Sequence, residues 1–219
     1  MSRRGCISIL VLGLIAATPA SAEGWRDKVT AFAVENLKHP AWGFSHSQRD
    51  YDLAKSLATA DHVTLDDDVI FAAAYLHDMA AFEAYAVPKQ DHSDTAAEKI
   101  DLVLAGSDFP KAKLEAVREA IRTHMHYRDP VGPEARYLHD ADALDWLGAI
   151  GVARLIGMTD RKGGKPTVPD MVKGIENNMT IVPPRIVTPA GKAQIAPRLA
   201  EEKAFLDALR RESKDLATL

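Results

Sequence analysis

Eight consecutive apolar residues, Val69 to Leu76, lead directly into His77 and Asp78. A segment apolar on every side has to be buried, whatever packs against it. A carboxylate at the end of such a segment is costly unless it is paired or bound to a cation. A neutral imidazole beside a carboxylate can hold a divalent ion, and a hydrogen-bonded His–Asp pair without metal would satisfy the same burial. The rest of the chain therefore has to show whether further donors converge on this point.

The periodicity is helical throughout and predicts an all-α fold. Apolar residues at helical spacing mark helices over 25–37, 45–60, 68–80, 111–126, 134–158 and 189–216, and another from Asp91 or Ser93 to Leu104. Loops are expected at 84–91, 163–166 and around Pro183 and Pro184. No segment alternates as a strand would, and there is no internal repeat. On the second helix Tyr51, Ala54, Leu57 and Ala58 form the inward face. Trp25, Phe32, Trp146 and Phe205 read as core residues. The formal net charge of −4 leaves no basic excess, which argues against nucleic acid held through phosphate contacts.

Arg3 and Arg4 followed by the apolar run Ile7–Ala17 and by Ala20-Ser21-Ala22 read as a secretory signal, residues 1–22. The run is short for a membrane span. The expectation is an exported protein, periplasmic or secreted, with no stable membrane anchor after cleavage. The one cysteine, Cys6, lies inside this leader, so any metal in residues 23–219 must be held by histidine and carboxylate.

The candidates for such a site are dispersed. His46 stands at the start of the second helix, with Arg49 one turn on. His92 and His124 lie at helix ends. Asp140, Asp142 and Asp145 lie on a largely apolar segment, and Asp142 and Asp145 share a helical face. Taken singly, His46, His92 and His124 are ordinary surface or capping residues. Taken together, imidazole and carboxylate without thiolate suit Zn, Mn, Fe, Co or Ni. They could meet only in the core of a helical bundle.

The order His46, then His77-Asp78, then Asp142 resembles the signature of the HD superfamily of metal-dependent hydrolases, and particularly its small single-domain bacterial members (YedJ-like). Phe44-Ser45-His46 with Arg49 is similar to the first motif, and Ala73-Ala74-Tyr75-Leu76-His77-Asp78 to the second. His92 with Ala96-Ala97, Ala120 to His124, and Asp140 to Arg154 resemble the later ones. The resemblance extends from about Phe44 to about Glu212. It implies a single helical HD domain over 23–219 with a C-terminal helical extension. It also implies His46, His77, Asp78 and Asp142 as the ligands of one ion, with His92 and His124 serving a second where two are bound. Asp142 is chosen over Asp140 because Ala141-Asp142-Ala143-Leu144 matches the family's setting for its last ligand. Met79-Ala80 after His77-Asp78 departs from many relatives, and Glu83 stands near, but not at, the position of an acidic residue that helps activate water in some of them.

The activity so implied is hydrolysis of a phosphate ester in a small-molecule substrate, through metal-activated water. Asp78 would accept the water's proton, His124 or His126 would protonate the leaving oxygen, and Arg49 would hold a phosphate or a ligand carboxylate. The same family resemblance also leaves a hydratase, a di-iron oxygenase or a non-catalytic binding module open. Oligomeric state is not legible in the sequence.

Overall fold

The computed structural model describes residues 24–219; the expected leader, 1–22, lies outside the described residues. Ten α-helices and three short 3-10 turns make up the described chain, with no strand among them. The first is α1, Trp25–Asn36, followed by α2, Phe44–Ala60, and α3, Asp67–Leu76. Asp66 caps α3 by accepting from the backbone N–H groups of Asp68 and Val69. All eight residues from Val69 to Leu76 are buried, as their composition requires. Trp25 seals this end of the core, edge-on to Phe71 and Phe109 at 5.5 and 4.8 Å between ring centres.

The helix expected over 68–80 ends at Leu76. His77 caps it, Asp78 leaves helical geometry, and a 3-10 turn, Met79–Ala81, follows. After the loop come α4, His92–Lys99, and the short α5, Asp101–Leu104, in place of one continuous helix. The segment expected as 111–126 is a 3-10 turn, Lys111–Lys113, and then α6, Leu114–Arg122, so His124 sits beyond the helix end.

The largest departure from expectation lies in 134–158. It forms two helices, α7, Pro133–Asp145, and α8, Gly148–Ile156, that change direction at Trp146-Leu147. Gly148 stands at φ +72°, in the left-handed region, and a Cβ there would lie 2.8 Å from Glu201 Oε2 and 3.2 Å from Arg198 Cγ. The apolar period continues across the break, which is why the sequence pattern runs over it. A further helix, α9, Val168–Ile181, was not expected. It begins with a capping box between Thr167 and Asp170. The last helix, α10, Pro189–Glu212, is capped by Thr188 and stays helical through Pro197; it stops short of Leu216, where Lys214 to Leu216 have positive φ.

Two apolar clusters result. The larger joins α1 to α7, with α2 packed along α7 and α3. The smaller, formed by Val152, Leu155, Val172, Ile175 and Leu206, holds α8, α9 and α10 together. Phe32 and Phe205 are only half-buried, and Ile150 is exposed. No helix among the described residues is long and apolar enough to cross a membrane.

Two stability predictions follow from this packing. Gly148→Ala should destabilise by about 1–3 kcal/mol, the usual cost of a side chain at positive φ with a close neighbour, and lower the melting temperature by several degrees. Glu202, on α10, is fully buried without a hydrogen-bond partner for either oxygen among the described residues, and burial pushes its pKa up to about 7 from an ordinary 4.5. Its contribution is therefore favourable below about 4.5 and is lost as pH rises through 7. Glu202→Gln should raise the melting temperature at pH 8 by a few degrees and leave it nearly unchanged at pH 4; equal shifts at both would show that the charge is not the cause.

Candidate metal centre

Five elements bring ionisable side chains to one point in the larger core. On α2, His46 and Asp50 lie one turn apart, and both are fully buried. The end of α3 presents His77 and Asp78, and α7 presents Asp142. His124 reaches in from the turn after α6, and His92 from the first position of α4.

The distances tie these groups together. His46 Nε2 is 3.2 Å from His77 Nε2, 3.3 Å from Asp142 Oδ1 and 3.6 Å from Asp78 Oδ2. Asp50 Oδ2 lies 3.2 Å from His46 Nε2 and 3.6 Å from His77 Nε2. The other oxygen of Asp78, Oδ1, faces His92 Nε2 at 3.4 Å and His124 Nε2 at 3.7 Å. Asp78 thus points one oxygen at each of two donor groups. In each of two sets, His46, Asp50, His77 and Asp142, and His77, Asp78 and His124, the donor atoms lie within 4.8 Å of one another. Bonds of about 2.1 Å around one ion put neighbouring donors roughly 3–3.5 Å apart, so the spacing fits.

The tautomers fit as well. His77 Nδ1 is 2.8 Å from the carbonyl of Ala74, and His124 Nδ1 is 2.6 Å from that of Ile121. A carbonyl only accepts, so both rings donate through Nδ1 and turn an Nε2 lone pair toward the cluster. His46 donates from Nδ1 to Asp145 Oδ2 at 2.8 Å. Asp145 also accepts two bonds from Arg49, at 2.9 and 2.8 Å, and one from Arg154 at 3.0 Å. Arg154 in turn donates to the carbonyl of Ala41 and lies 3.6 Å over the Trp146 ring.

The electrostatics divide the cluster. Burial disfavours the charge on Asp78, yet His77, His124 and His46 hold its pKa well below the usual carboxylate range. Burial likewise opposes the charge on Asp142, and His46, His124 and His77 bring its pKa down to about 2. Burial lowers the pKa of His77, which keeps it neutral and able to donate a lone pair, whereas at His46 burial is outweighed by Asp50, Asp142 and Asp145, which push its pKa well above the ordinary value. Asp50 goes the other way: burial and the neighbouring Asp145 and Asp142 push it well above its ordinary value despite His46. Asp50 Oδ1, Asp50 Oδ2 and His124 Nε2 are buried without a hydrogen-bond partner among the described residues. Unpartnered acceptors of this kind, grouped with imidazole lone pairs, are what a divalent cation would satisfy.

The cluster opens into a cleft of about 200 Å³ lined by Trp42, Ala81, His92, Met125 and Trp146, with Asp78 and Asp142 at its floor. Trp146, expected in the core, is half-buried and forms a wall of this cleft. His126 lies in an adjoining hollow behind Met125 and Trp146. A larger cleft, about 690 Å³, is lined by Asp61, Pro133 and Arg136 but by no residue of the cluster, so it carries none of this chemistry.

The other sequence candidates fall outside the cluster. Asp140 faces away, accepting from Val187 N, Thr188 N and Thr188 Oγ1, and so fixes the start of α10. Arg49 is committed to Asp145 and does not line the cleft, so it holds a carboxylate that orients His46. Glu83 is exposed in the turn after Ala81. Asp50 was missed by sequence reasoning, although its signal was present. It is four residues before Ala54, on the same inward face of α2, where a carboxylate has no ordinary reason to be.

Comparison with known proteins bears on the fold that carries this arrangement. Residues 43–147 match the model of the HD domain. This segment is an HD domain. Its fold is similar to a crystal structure from Lactobacillus plantarum, with a TM-score of 0.66 at 21% identity over 87% of this chain and 97% of that one. It is also similar to a predicted HD-superfamily hydrolase from an uncultured Thermotogales bacterium, with a TM-score of 0.61 at 23% identity over 84% and 91%. Bacillus subtilis YpgQ in complex with ADP gives a TM-score of 0.64 at 18% identity over 85% and 97%. No curated protein sequence matches this chain significantly. At these identities the structures show a shared fold.

Asp145→Asn should test the support of His46. It removes the charge that balances Arg49 and Arg154 and weakens the orientation of the ring. Affinity for Mn²⁺ or Ni²⁺, measured by titration calorimetry, should fall by about 10–100-fold. Wild-type affinity in a folded Asp145→Asn protein would mean that His46 needs no such support.

Proposed function

We propose that this HD protein is a divalent-metal-dependent phosphohydrolase acting on a small phosphorylated molecule. The observation that carries this reading is the Asp78 carboxylate, shared between two groups of imidazole and carboxylate donors at the floor of a cleft. His46, His77, Asp78 and Asp142 would hold one ion, with His92 and His124 on the far side of Asp78 serving a second. The metal is one of Mn, Fe, Co, Ni or Zn.

When bound, such ions make water more acidic and offset charge on phosphoryl oxygens. The remaining work belongs to the chain. Asp145, fixed by Arg49 and Arg154, holds the His46 ring in place. Asp78, its pKa kept low by three histidines, is ionised at neutral pH and is the group positioned to take a proton from the attacking water. His124 is assigned here as a ligand rather than as the proton donor expected from sequence, because its Nδ1–H is held by Ile121 and its Nε2 carries the free lone pair. The aromatic walls, Trp42 and Trp146, exclude water and offer flat surfaces to the rest of the substrate. Trp42 is itself stacked on His39 at 3.4 Å between ring centres. The capture of ADP by the structurally similar YpgQ supports a phosphorylated ligand. Export through the leader would confine the substrate to molecules outside the cytoplasm.

The test is a screen of phosphate esters with purified protein supplemented with Mn²⁺, Co²⁺ or Ni²⁺. At least one ester should be hydrolysed, chelator should abolish the activity, and Asp78→Ala should lower it by about 10²–10⁴-fold or more. Activity indifferent to chelator, or retained in Asp78→Ala, would remove the proposal. Tightly held iron with oxygen uptake on addition of substrate, and no ester hydrolysis, would replace it with oxygenase chemistry.

A further inference from the structure

His46, His77, Asp78 and Asp142 account for the imidazole and carboxylate groups singled out by the sequence, yet a third carboxylate lies among them. Asp50 is fully buried, and no hydrogen-bond donor serves either of its oxygens among the described residues. Its nearest polar neighbours make this more demanding. Oδ2 is 3.2 Å from His46 Nε2 and 3.6 Å from His77 Nε2. The Nδ1 atoms of both rings are donors, to Asp145 and to the carbonyl of Ala74. With neutral rings, both Nε2 atoms therefore turn lone pairs toward the Asp50 oxygen. A carboxylate facing two lone pairs is repelled by its surroundings, and burial removes the water that would relieve it.

The two guanidinium groups nearby do not answer this. Arg49 donates to both oxygens of Asp145, and Arg154 to Asp145, to the carbonyl of Ala41 and, at a long 3.4 Å, toward His46 Nε2; neither makes a hydrogen bond to Asp50. What would satisfy Asp50, both Nε2 lone pairs and the Asp142 oxygen together is a single cation between them.

We propose that Asp50 is a further ligand of the ion held by His46, His77, Asp78 and Asp142, and that it biases this position toward harder ions such as Mn²⁺ and Fe²⁺ over Zn²⁺. This rests on the metal-site reading given above and extends it. Two imidazoles and two carboxylates already supply the four donors that Zn²⁺ prefers; a third carboxylate adds charge and a further oxygen, which favour ions that prefer oxygen donors and more than four ligands. The position of Asp50 on α2, one turn from His46, makes both ligands part of one rigid element, so the set is preorganised by the helix itself.

The experiment compares Mn²⁺ and Zn²⁺ affinity of the purified wild-type protein with that of Asp50→Val and Asp50→Asn, by calorimetry or competition with a chromophoric chelator. Thermal melting is recorded with and without each ion. Asp50→Val replaces the carboxylate with an apolar side chain of similar size. Without metal it should melt no lower than wild type, because it removes an unpartnered buried group. With metal, Mn²⁺ binding should weaken by at least ~100-fold, beyond the usual cost of losing an outer partner. Zn²⁺ binding should weaken by a smaller factor, and the Mn²⁺-induced rise in melting temperature should shrink. Asp50→Asn, which keeps the shape, should lose Mn²⁺ affinity in the same direction, and it decides the matter if Asp50→Val fails to fold. Wild-type Mn²⁺ affinity in folded Asp50→Asn, or equal losses for Mn²⁺ and Zn²⁺, would overturn the proposal while leaving the other ligands standing. A wild-type protein that binds neither ion would instead overturn the metal site itself.

Discussion

Asp145 is the carboxylate on which the surrounding geometry depends. It accepts from the His46 ring, from two nitrogens of Arg49 and from Arg154, and thereby connects α2, α7 and α8. Arg154 carries the connection further, to the carbonyl of Ala41 in the turn before α2 and to the face of Trp146. Breaking such a buried pair is expensive, because the remaining partners keep their charge without compensation. The same interaction therefore does two jobs. It fixes how three helices meet, and it fixes which nitrogen of His46 is turned inward.

The break between α7 and α8 belongs to this arrangement. In a continuous helix, Arg154 would stand nine residues beyond Asp145, roughly 13 Å along the axis. The turn at Trp146-Leu147 and the positive φ of Gly148 redirect the chain and bring the guanidinium to 3.0 Å from Asp145. It also moves Trp146 out of the core and into the wall of the cleft. The apolar pattern of 134–158 registers none of this, because Leu144, Leu147, Val152 and Leu155 stay inward on both sides of the bend. Hydrophobic period reports which residues are buried, not whether the axis is straight. The same limit applies to α9, whose capping box at Thr167 and Asp170 was the local signal that the periodicity did not supply.

The site was more legible than the fold's joints. The run ending at His77-Asp78 forces two polar groups into an apolar interior, and that constraint needs no knowledge of topology. The pairing of that dipeptide with His46 and Asp142 came from family resemblance, and the side chains meet within hydrogen-bonding range. Asp140 and Asp142 show what sequence can separate. They are two residues apart on one helix, so they point in different directions; one faces His46 and the other fastens Thr188. Arg49 was visible as a neighbour of His46, but its partner Asp145 was not, since 96 residues separate them. Asp50 belongs to no motif position, and its signal is only that it interrupts the inward stripe of α2.

Charge balance gives the cluster its final constraint. Asp50, Asp78, Asp142 and Asp145 offer four carboxylates, while Arg49 and Arg154 offer two guanidiniums, both engaged by Asp145. With neutral imidazoles, two negative charges remain uncompensated in a region closed to water except through the cleft. Without a cation the protein can relieve this only by taking up protons, and the raised pKa values of His46 and Asp50 against the lowered one of Asp78 show where they would be held. A divalent ion removes the same imbalance and also satisfies the Nε2 lone pairs that protons on carboxylates leave facing one another. The arrangement thus makes ion binding and relief of electrostatic strain a single event, coupled to folding through the helices that carry the ligands.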